Sequence, residues 1–300
     1  MKLKIGTRKS KLALWQANLV RDLLAAIGVD CEIVKIESFG DKVQDVPLHK
    51  LGDKGVFTKA LDEALFNGTI DLAVHSLKDV PTELEDGLVL ASVPVREDPR
   101  DALVKNPNTT LAETSKIIAT GSIRRRAFVL NKYPDFEVSD LRGNVPTRIK
   151  KVEHSNWKGA VFAYAGLKRL ELDYYIAEFL DWMLPAPAQG AVGIVCRDEF
   201  GMTQTLKKIE DTEARKCVDT EREFLNTLEA GCSSPVGALA QIRDNTIYFR
   251  GAVLSINGTD KIEIEDSITL AKFNAGWGVE LAHKLINLGA LALIKTSKNR

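Results

Sequence analysis

The first residue that could do chemistry is a cysteine placed in a turn. Cys232 lies in the stretch LEAGCSSPVG, directly after a glycine and before two serines and a proline. Free cysteines usually pack as small apolar side chains inside a strand or a helix. At a bend of the backbone the thiol can reach solvent or a cleft. The local sequence leaves both a structural and a chemical role open.

Arginines gather at the ends of two neighbouring predicted strands. The segment TGSIRRR brings Arg124, Arg125 and Arg126 together before a predicted helix, and LRGNVPTR adds Arg142 and Arg148 after the next strand. Cations at the start of a helix oppose its dipole, so helix stability does not explain them. Guanidinium groups bind carboxylates or phosphates through paired hydrogen bonds. A solvated basic face would explain any one arginine, but two clusters favour an anion site.

A lysine and an aspartate follow an apolar strand in HSLKDVP. Lys78 and Asp79 therefore lie where α/β proteins tend to hold their ligands, beyond the carboxyl end of a strand. Asp79 could simply cap the turn before Pro81. It could also stabilise a positive charge that develops during a reaction in a dry cleft.

Two glycine-containing segments have less specific patterns. APAQGAVG follows prolines and precedes a strand, so a hinge at Gly190 and Gly193 explains it better than a phosphate-binding loop does. HKLGDKG, with Lys50 and Lys54, is either an ordinary surface loop or a mobile lid over a cleft.

Composition excludes several classes of protein. Lysine plus arginine equal aspartate plus glutamate at 41 each, so no overall charge recruits nucleic acid or an anionic membrane. The four cysteines contain no C-x-x-C pair and the four histidines are scattered, which predicts neither a metal site nor disulfides. No segment approaches the roughly 18 apolar residues of a membrane span. We expect a cytoplasmic protein without a membrane partner.

Strand and helix patterns alternate over the first two thirds of the chain, as in α/β proteins. Strands are predicted at 2–7, 31–38, 70–77, 116–122, 136–141, 159–167 and 191–196, and helices at 12–27, 57–68, 124–133 and 148–155. The near-continuous apolar strand at 70–77 is typical of a parallel sheet covered on both faces. We expect the strand at 191–196 to return to the first sheet.

The last third has a different pattern. A long helix at 212–230 precedes three strands that read as antiparallel, at 238–242, 246–256 and 260–268, and a helix at 276–289. We therefore predict three domains, with boundaries at 1–95 plus 190–208, at 98–186, and at 212–300. Cys232 follows the first helix of the third domain.

The motifs together resemble the porphobilinogen deaminase family. The resemblance rests on GTRKSKLALWQA, KGVFTKAL, HSLKDVPTEL, VREDPRDAL, LRGNVPTR, AGLKRL, LPAPAQGAVGI and EAGCSSPVGA, which occur in the family's order over nearly the whole chain. It implies two α/β lobes, like those of periplasmic binding proteins, around a cleft, with a small α+β C-terminal domain containing a three-stranded antiparallel sheet. It also implies a monomer that condenses four porphobilinogen molecules, with loss of ammonia, and releases hydroxymethylbilane.

The resemblance assigns a role to individual residues. It implies that Cys232 carries a dipyrromethane primer through a thioether and that Asp79 stabilises the cation left when ammonia departs. Primer binding would involve Lys78, Ser122, Arg124 and Arg125. Substrate binding would involve Arg8, Ser10, Arg142, Arg148, Arg169 and Gln189. Lys50 and Lys54 would belong to the mobile loop, and no residue would bind a metal.

The chain departs from the family pattern at two places in particular. Gly121, Ser122 and Ile123 stand where Ser-Ser-Leu is common, which removes one hydroxyl, and Asp53 adds a negative charge beside Lys54. Two other classes of protein are the alternatives. A two-lobed receptor for a polyanion would leave Cys232 without a role, and a nucleic-acid binder would need a broader basic surface with stacking aromatics.

Overall fold

A computed structural model describes residues 2–37, 58–230 and 234–298. Its strands are β1 (Leu3–Arg8), β2 (Cys31–Ile36), β3 (Leu72–Ser76), β4 (Leu88–Ser92), β5 (Asp101–Lys105), β6 (Ile117–Ala119), β7 (Glu137–Ser139), β8 (Gly159–Ala163), β9 (Ile176–Phe179), β10 (Val192–Arg197), β11 (Val236–Arg243), β12 (Thr246–Leu254) and β13 (Lys261–Thr269). Its helices are α1 (Lys11–Ala26), α2 (Lys59–Phe66), α3 (Thr109–Thr114), α4 (Ile123–Lys132), α5 (Val145–Glu153), α6 (Tyr164–Arg169), α7 (Phe200–Lys207), α8 (Thr212–Thr227), α9 (Trp277–Asn287) and α10 (Ala290–Lys298).

The first sheet has the strand order β2-β1-β3-β10-β4. β1 is parallel to β2 and β3, whereas β10 is antiparallel to β3 and β4. The expected return of the chain to this sheet near residue 191 is confirmed. The expectation that the apolar strand at 70–77 lies in a parallel sheet is wrong in part, because one of the two neighbours of β3 is antiparallel. Burial from both faces makes a strand apolar whatever the direction of its neighbours.

The second sheet repeats this arrangement with the order β7-β6-β8-β5-β9. β6 is parallel to β7 and β8, and β5 is antiparallel to β8 and β9. The predicted strand at 159–167 ends early, at Ala163, where α6 begins. The five residues after Gly159 are all apolar or aromatic, and no turn residue marks a boundary among them. The change from strand to helix therefore cannot be seen in the sequence. The sequence analysis also missed β5 and β9.

The third sheet is antiparallel, with the order β11-β12-β13, as predicted. Helix α8 packs on it through Phe224, whose ring centroid lies 5.0 Å from that of Phe249. Gly251 makes this contact possible, because a Cβ at that position would lie 2.6 Å from the ring of Phe224. Helix α10 follows the predicted closing helix and was not expected. The predicted fold class, two α/β lobes and a small domain with a three-stranded antiparallel sheet, is confirmed.

Two chain segments cross next to each other between the lobes. The amide of Glu97 donates to the carbonyl of Gly190 over 3.2 Å. Gly190 has a φ of 88°, and a Cβ there would lie 2.3 Å from the carbonyl oxygen of Glu97. Only glycine fits this close approach. The crossing, rather than a phosphate-binding loop, therefore accounts for Gly190.

Candidate functional site

Asp79 ends a short 3-10 turn that directly follows β3 and spans Leu77–Asp79. It lines a cavity of about 80 Å³ together with Arg8, Ser10, Gln16 and His75. Gln16 donates to the hydroxyl of Ser76 over 2.9 Å, which joins helix α1 to the start of the turn. Burial, and then the charge of Arg8, lower the pKa of His75 to about 4, so its imidazole is neutral near pH 7. Among the described residues that line this cavity, Asp79 has the only acidic side chain.

Cationic side chains from both lobes surround the turn. Burial, and to a smaller extent the nearby charge of Arg125, lower the pKa of Lys78 to about 8. Burial likewise lowers the pKa of Arg148 to about 10, with Arg125 and Arg142 acting in the same direction and Asp79 against it. Groups whose positive charges disfavour one another at close range form a site that an anion would stabilise.

Asp101 at the start of β5 holds two of the predicted arginines. Its carboxylate lies 2.8 Å from Arg124 Nη1 and 2.8 Å from Arg125 Nη2, and all three side chains are buried. Arg124 also donates to the carbonyl of Leu184, and Arg125 to that of Val161. Burial alone would raise the pKa of Asp101, but the two guanidinium groups outweigh it and hold the pKa at about 2. One negative charge is thus shared by two positive charges.

Gln189 connects the two lobes through its side chain. Its Oε1 accepts from Lys78 Nζ over 3.2 Å, and its Nε2 donates to the carbonyl of Pro99 and to Asp101 Oδ1 over 2.7 and 2.9 Å. The carboxamide therefore makes three bonds within the protein. In this structure it orients Lys78, rather than presenting free donors to the cleft.

Arg169, at the end of α6, reaches the other lobe. Its Nη2 donates to the carbonyl of Gly190 over 2.6 Å, and its guanidinium carbon lies 5.3 Å from the centre of the Trp15 ring. Burial lowers the pKa of Arg169 to about 10. From the sequence, Trp15 was only one residue of the helix predicted at 12–27, where it recurs with apolar residues three or four positions apart. A tryptophan in an apolar stripe gives no sign that it will cover an arginine from another domain.

Two predicted serines cap helices. The amide of Ala13 donates to Ser10 Oγ over 3.2 Å, and the amide of Arg125 donates to Ser122 Oγ over 3.4 Å. Each hydroxyl acts as an acceptor in its cap, so its own proton is available for another bond. Arg148 follows the cap of α5 and donates from Nε to the carbonyl of Gly143 over 2.7 Å. Arg142 lies on the loop before that helix.

Cys232, Lys50 and Lys54 lie outside the described residues. The elements on either side of Cys232, helix α8 and strand β11, are anchored at the lobe crossing by Glu221. Its carboxylate pairs with Arg96 over 2.7 Å and accepts from the amides of Ala188 and Ala240 over 2.6 and 2.7 Å. The sequence analysis assigned no role to Arg96, Asp101 or Glu221.

Within residues 2–37, 58–230 and 234–298, no group of three or more histidine, cysteine, aspartate or glutamate side chains is arranged to hold a metal ion. In the same part of the chain, no helix has both the length and the apolar character needed to cross a membrane.

Comparisons with known proteins agree over nearly the full length. Residues 3–205 match the family model described as porphobilinogen deaminase, dipyromethane cofactor binding domain, and residues 215–287 match the porphobilinogen deaminase C-terminal domain. The chain is 43% identical over 295 residues to the porphobilinogen deaminase of Syntrophotalea carbinolica, covering 96% of this chain and 93% of that one. It is 41% identical over 298 residues to that of Chloroherpeton thalassium, covering 96% and 95%.

Solved structures give weaker matches. The VFT2 domain of BvgS from Bordetella pertussis aligns with a TM-score of 0.42 at 14% identity, over 70% of this chain and 85% of that domain. A periplasmic His/Glu/Gln/Arg/opine family-binding protein from Silicibacter pomeroyi aligns with a TM-score of 0.38 at 14% identity, over 75% and 94%. Scores at this level carry no argument about function.

Proposed function

We propose that Asp79, Cys232 and the arginines of the cleft carry out the reaction of the porphobilinogen deaminase family, to which this chain belongs. The protein is a hydroxymethylbilane synthase, a transferase of tetrapyrrole biosynthesis that uses a dipyrromethane cofactor. Four porphobilinogen molecules lose ammonia as they are joined, and water releases the linear tetrapyrrole. The observation that carries the residue assignment is the cluster of buried cations around one turn that ends in Asp79.

The charge of this cluster fits the cofactor. Each pyrrole of a dipyrromethane bears an acetate and a propionate, so the group carries several carboxylates. Arg124 and Arg125 share the single charge of Asp101, and the Nε atoms of Arg124 and Arg169 are buried without a hydrogen-bond partner among the described residues. Carboxylates satisfy such donors and offset the remaining positive charge. Arg124, Arg125, Lys78 and Ser122 are the residues that we assign to the cofactor.

Cys232 provides the covalent attachment. A dipyrromethane held at Cys232 would supply the pyrrole carbon to which the first porphobilinogen is joined. Helix α8 and strand β11 lead into and out of the segment that contains Cys232, and Glu221 fixes both elements at the lobe crossing. The two elements that flank the attachment segment are thus tied to the crossing between the lobes, which supports a cofactor directed into the cleft.

Asp79 acts on the substrate. Its carboxylate accepts a hydrogen bond from the pyrrole N–H and stabilises the positive charge that develops when ammonia leaves porphobilinogen. A fixed anion in a site from which water is excluded is most effective where charge develops, because no solvent has to reorganise. Lys78 and Arg148 keep the surrounding potential positive, so that the carboxylates of the substrate bind while Asp79 faces the reacting centre.

The substrate carboxylates bind to the second group of residues. This group comprises Arg8, Ser10, Arg142, Arg148 and Arg169. We assign Lys50 and Lys54 to the mobile loop, which falls outside the described residues. Gln189 contributes by holding Lys78. The capping serines keep a hydroxyl proton to donate, which suits an anionic ligand.

The domain boundaries and the state of the protein are further parts of the proposal. We assign residues 1–95 and 190–208 to the first lobe, 98–186 to the second and 212–300 to the C-terminal domain. The composition of the three sheets supports this division. We also propose that the protein is a cytoplasmic monomer. Light scattering of the purified protein would test the monomeric state by its mass.

The intact mass of the denatured protein tests the proposed function. We expect a mass excess equal to two condensed pyrrole units, located by peptide mapping on the peptide that contains Cys232. The variant C232S should lack it, whereas the control C31S should keep it, because Cys31 is a buried thiol of the first sheet. If Cys232 stays unmodified after incubation with porphobilinogen and no tetrapyrrole forms, the assignment is wrong and a binding protein for a polyanion becomes the better interpretation.

A further inference from the structure

We propose that Arg222 is a positioning residue that fixes the Asp79 turn against the helix leading to Cys232. This inference rests on the proposed function. Arg222 lies on α8 and is buried, with 9% of its surface exposed. Its Nη1 donates to the carbonyl of Val80 over 3.0 Å, and its Nη2 donates to those of Pro81 and Thr82 over 2.7 and 3.3 Å. One guanidinium group therefore holds the three residues that follow Asp79.

A second pair of bonds lies one helical turn further along α8. The hydroxyl of Thr82 donates to Asn226 Oδ1 over 2.8 Å, and Asn226 Nδ2 donates to Glu83 over 3.3 Å. Residues four apart share one face of a helix, so Arg222 and Asn226 present a single polar face to residues 80–83. The helix is thus bonded to this segment at two successive points.

The bonds act on Asp79 through the backbone. The amide of Val80 donates to the carbonyl of Leu77 over 3.1 Å and closes the turn that ends in Asp79. Peptide groups are planar, so the bond from Arg222 fixes the plane between Val80 and Pro81, and the bond of the Val80 amide to Leu77 fixes the plane between Asp79 and Val80. Held on both sides, Val80 restricts the backbone that carries the Asp79 side chain. Arg222 precedes Cys232 by ten positions and α8 ends at Thr227, so the same helix orients the approach to the attachment point.

Arg215 provides a matched control on the same helix. It also donates to a carbonyl of the first lobe, that of Leu90, over 3.0 Å, and it pairs with Glu210 and Asp219. Its lobe contact is thus at β4 rather than at the Asp79 turn. A variant at Arg215 weakens the junction between α8 and the first lobe without releasing residues 80–82.

The experiment compares R222Q, R222K and N226A with R215Q in the full-length protein. Intact mass first establishes the primer content of each variant. Hydrogen exchange of the amides at 78–84, kcat and KM for porphobilinogen, the pH profile of kcat, and the melting temperature are then measured. Misplacing a catalytic group by about 1 Å can cost roughly 100-fold in rate. We expect R222Q to exchange faster at 78–84 and to lose about 10- to 100-fold in kcat, with a shifted pH profile and little change in KM.

R222K should recover part of the loss, because one ammonium group can replace some of the three bonds, and N226A should show a smaller effect of the same kind. R215Q should melt earlier but keep its kcat. The inference is overturned if R222Q melts like R215Q and retains normal kcat and normal exchange. If R222Q does not fold, the N226A variant tests the inference. Faster exchange at 78–84 in N226A without a change in its kcat then overturns it. Failure of the wild type to release ammonia from porphobilinogen refutes the proposed function instead, and this inference with it.

Discussion

Replacing Asp101 by asparagine tests the charge arrangement of the cleft most directly. The carboxylate forms an ion pair with Arg124, accepts hydrogen bonds from Arg125 and Gln189, and is completely buried. D101N keeps the shape of the side chain and one acceptor but removes the charge that two guanidinium groups share. The variant therefore leaves two buried positive charges without a compensating anion.

The pKa shift of Asp101 and the cost of breaking a buried ion pair set the range of the expected loss of stability. The pKa of Asp101 is lowered from 3.8 to about 2. A shift of that size corresponds to roughly 2 kcal/mol in favour of the charged form. Breaking a buried ion pair costs about 3–5 kcal/mol. We expect D101N to lose roughly 2–5 kcal/mol of stability, which lowers the melting temperature by on the order of 3–8 °C for a chain of this size.

The assay is thermal unfolding as a function of pH. Because the pKa is lower in the folded state, the contribution of Asp101 is present above about pH 4 and is lost as the pH falls towards about 2. The difference in melting temperature between wild type and D101N should therefore be largest near pH 7 and narrow below pH 4. D181N is the control, because Asp181 is 72% exposed in its pair with Arg100, and exposed pairs contribute at most about 1 kcal/mol.

The cofactor should change the effect of D101N on stability. In a C232S background, which lacks the primer, D101N should cost more, since carboxylates of the primer otherwise offset part of the uncompensated charge. A D101N protein that melts within about 1 °C of wild type at pH 7 would show that the two arginines do not depend on this carboxylate. The charge argument for the cleft would then be refuted.

Two further predictions concern the reaction. D79N should keep the KM for porphobilinogen within a few-fold and lower kcat by roughly 100- to 1000-fold, the effect of removing one group that stabilises transition-state charge; near-normal turnover would contradict the role of Asp79. Burial lowers the pKa of Lys78 to about 8, so its charge is lost as the pH rises through that value. The KM of the wild type should therefore rise above pH 8, and K78R, which stays protonated, should show no such rise.

The position of Asp79 at a sheet edge could be predicted from the sequence, because it depends on one local pattern. An apolar strand followed by a polar turn puts the turn at a sheet edge, and the structure has Asp79 just beyond β3. The three antiparallel strands of the last third were recognised for a similar reason, since turn residues separate them. Both features depend on residues that are adjacent in the chain, so they can be predicted from a single sequence.

The carboxylates that organise the site could not be predicted in this way. Asp101 begins a strand and Glu221 lies within a helix, where each resembles an ordinary surface charge. Their partners are distant in sequence, since Asp101 meets Gln189 and Glu221 meets Arg96. Burial changes the role of such a residue from a solvated surface charge to a partner of other polar groups, because a charge removed from water must be paired. Only the folded chain shows which acidic side chains are buried.

Consecutive residues of α8 tie two separate parts of the protein to the third domain. Glu221 bonds the lobe crossing at Ala188 and Arg96, and Arg222 bonds the turn after Asp79. Moving the crossing away from α8 would break a buried ion pair, at a cost of about 3–5 kcal/mol. The third domain also contacts the second lobe, where the amide of Ala238 donates to the carbonyl of Pro185 over 3.1 Å and Asn131 Nδ2 donates to the carbonyl of Gly258 over 2.8 Å. Space for each added pyrrole must therefore come from parts of the cleft that the bonds of Glu221 and Arg222 do not hold.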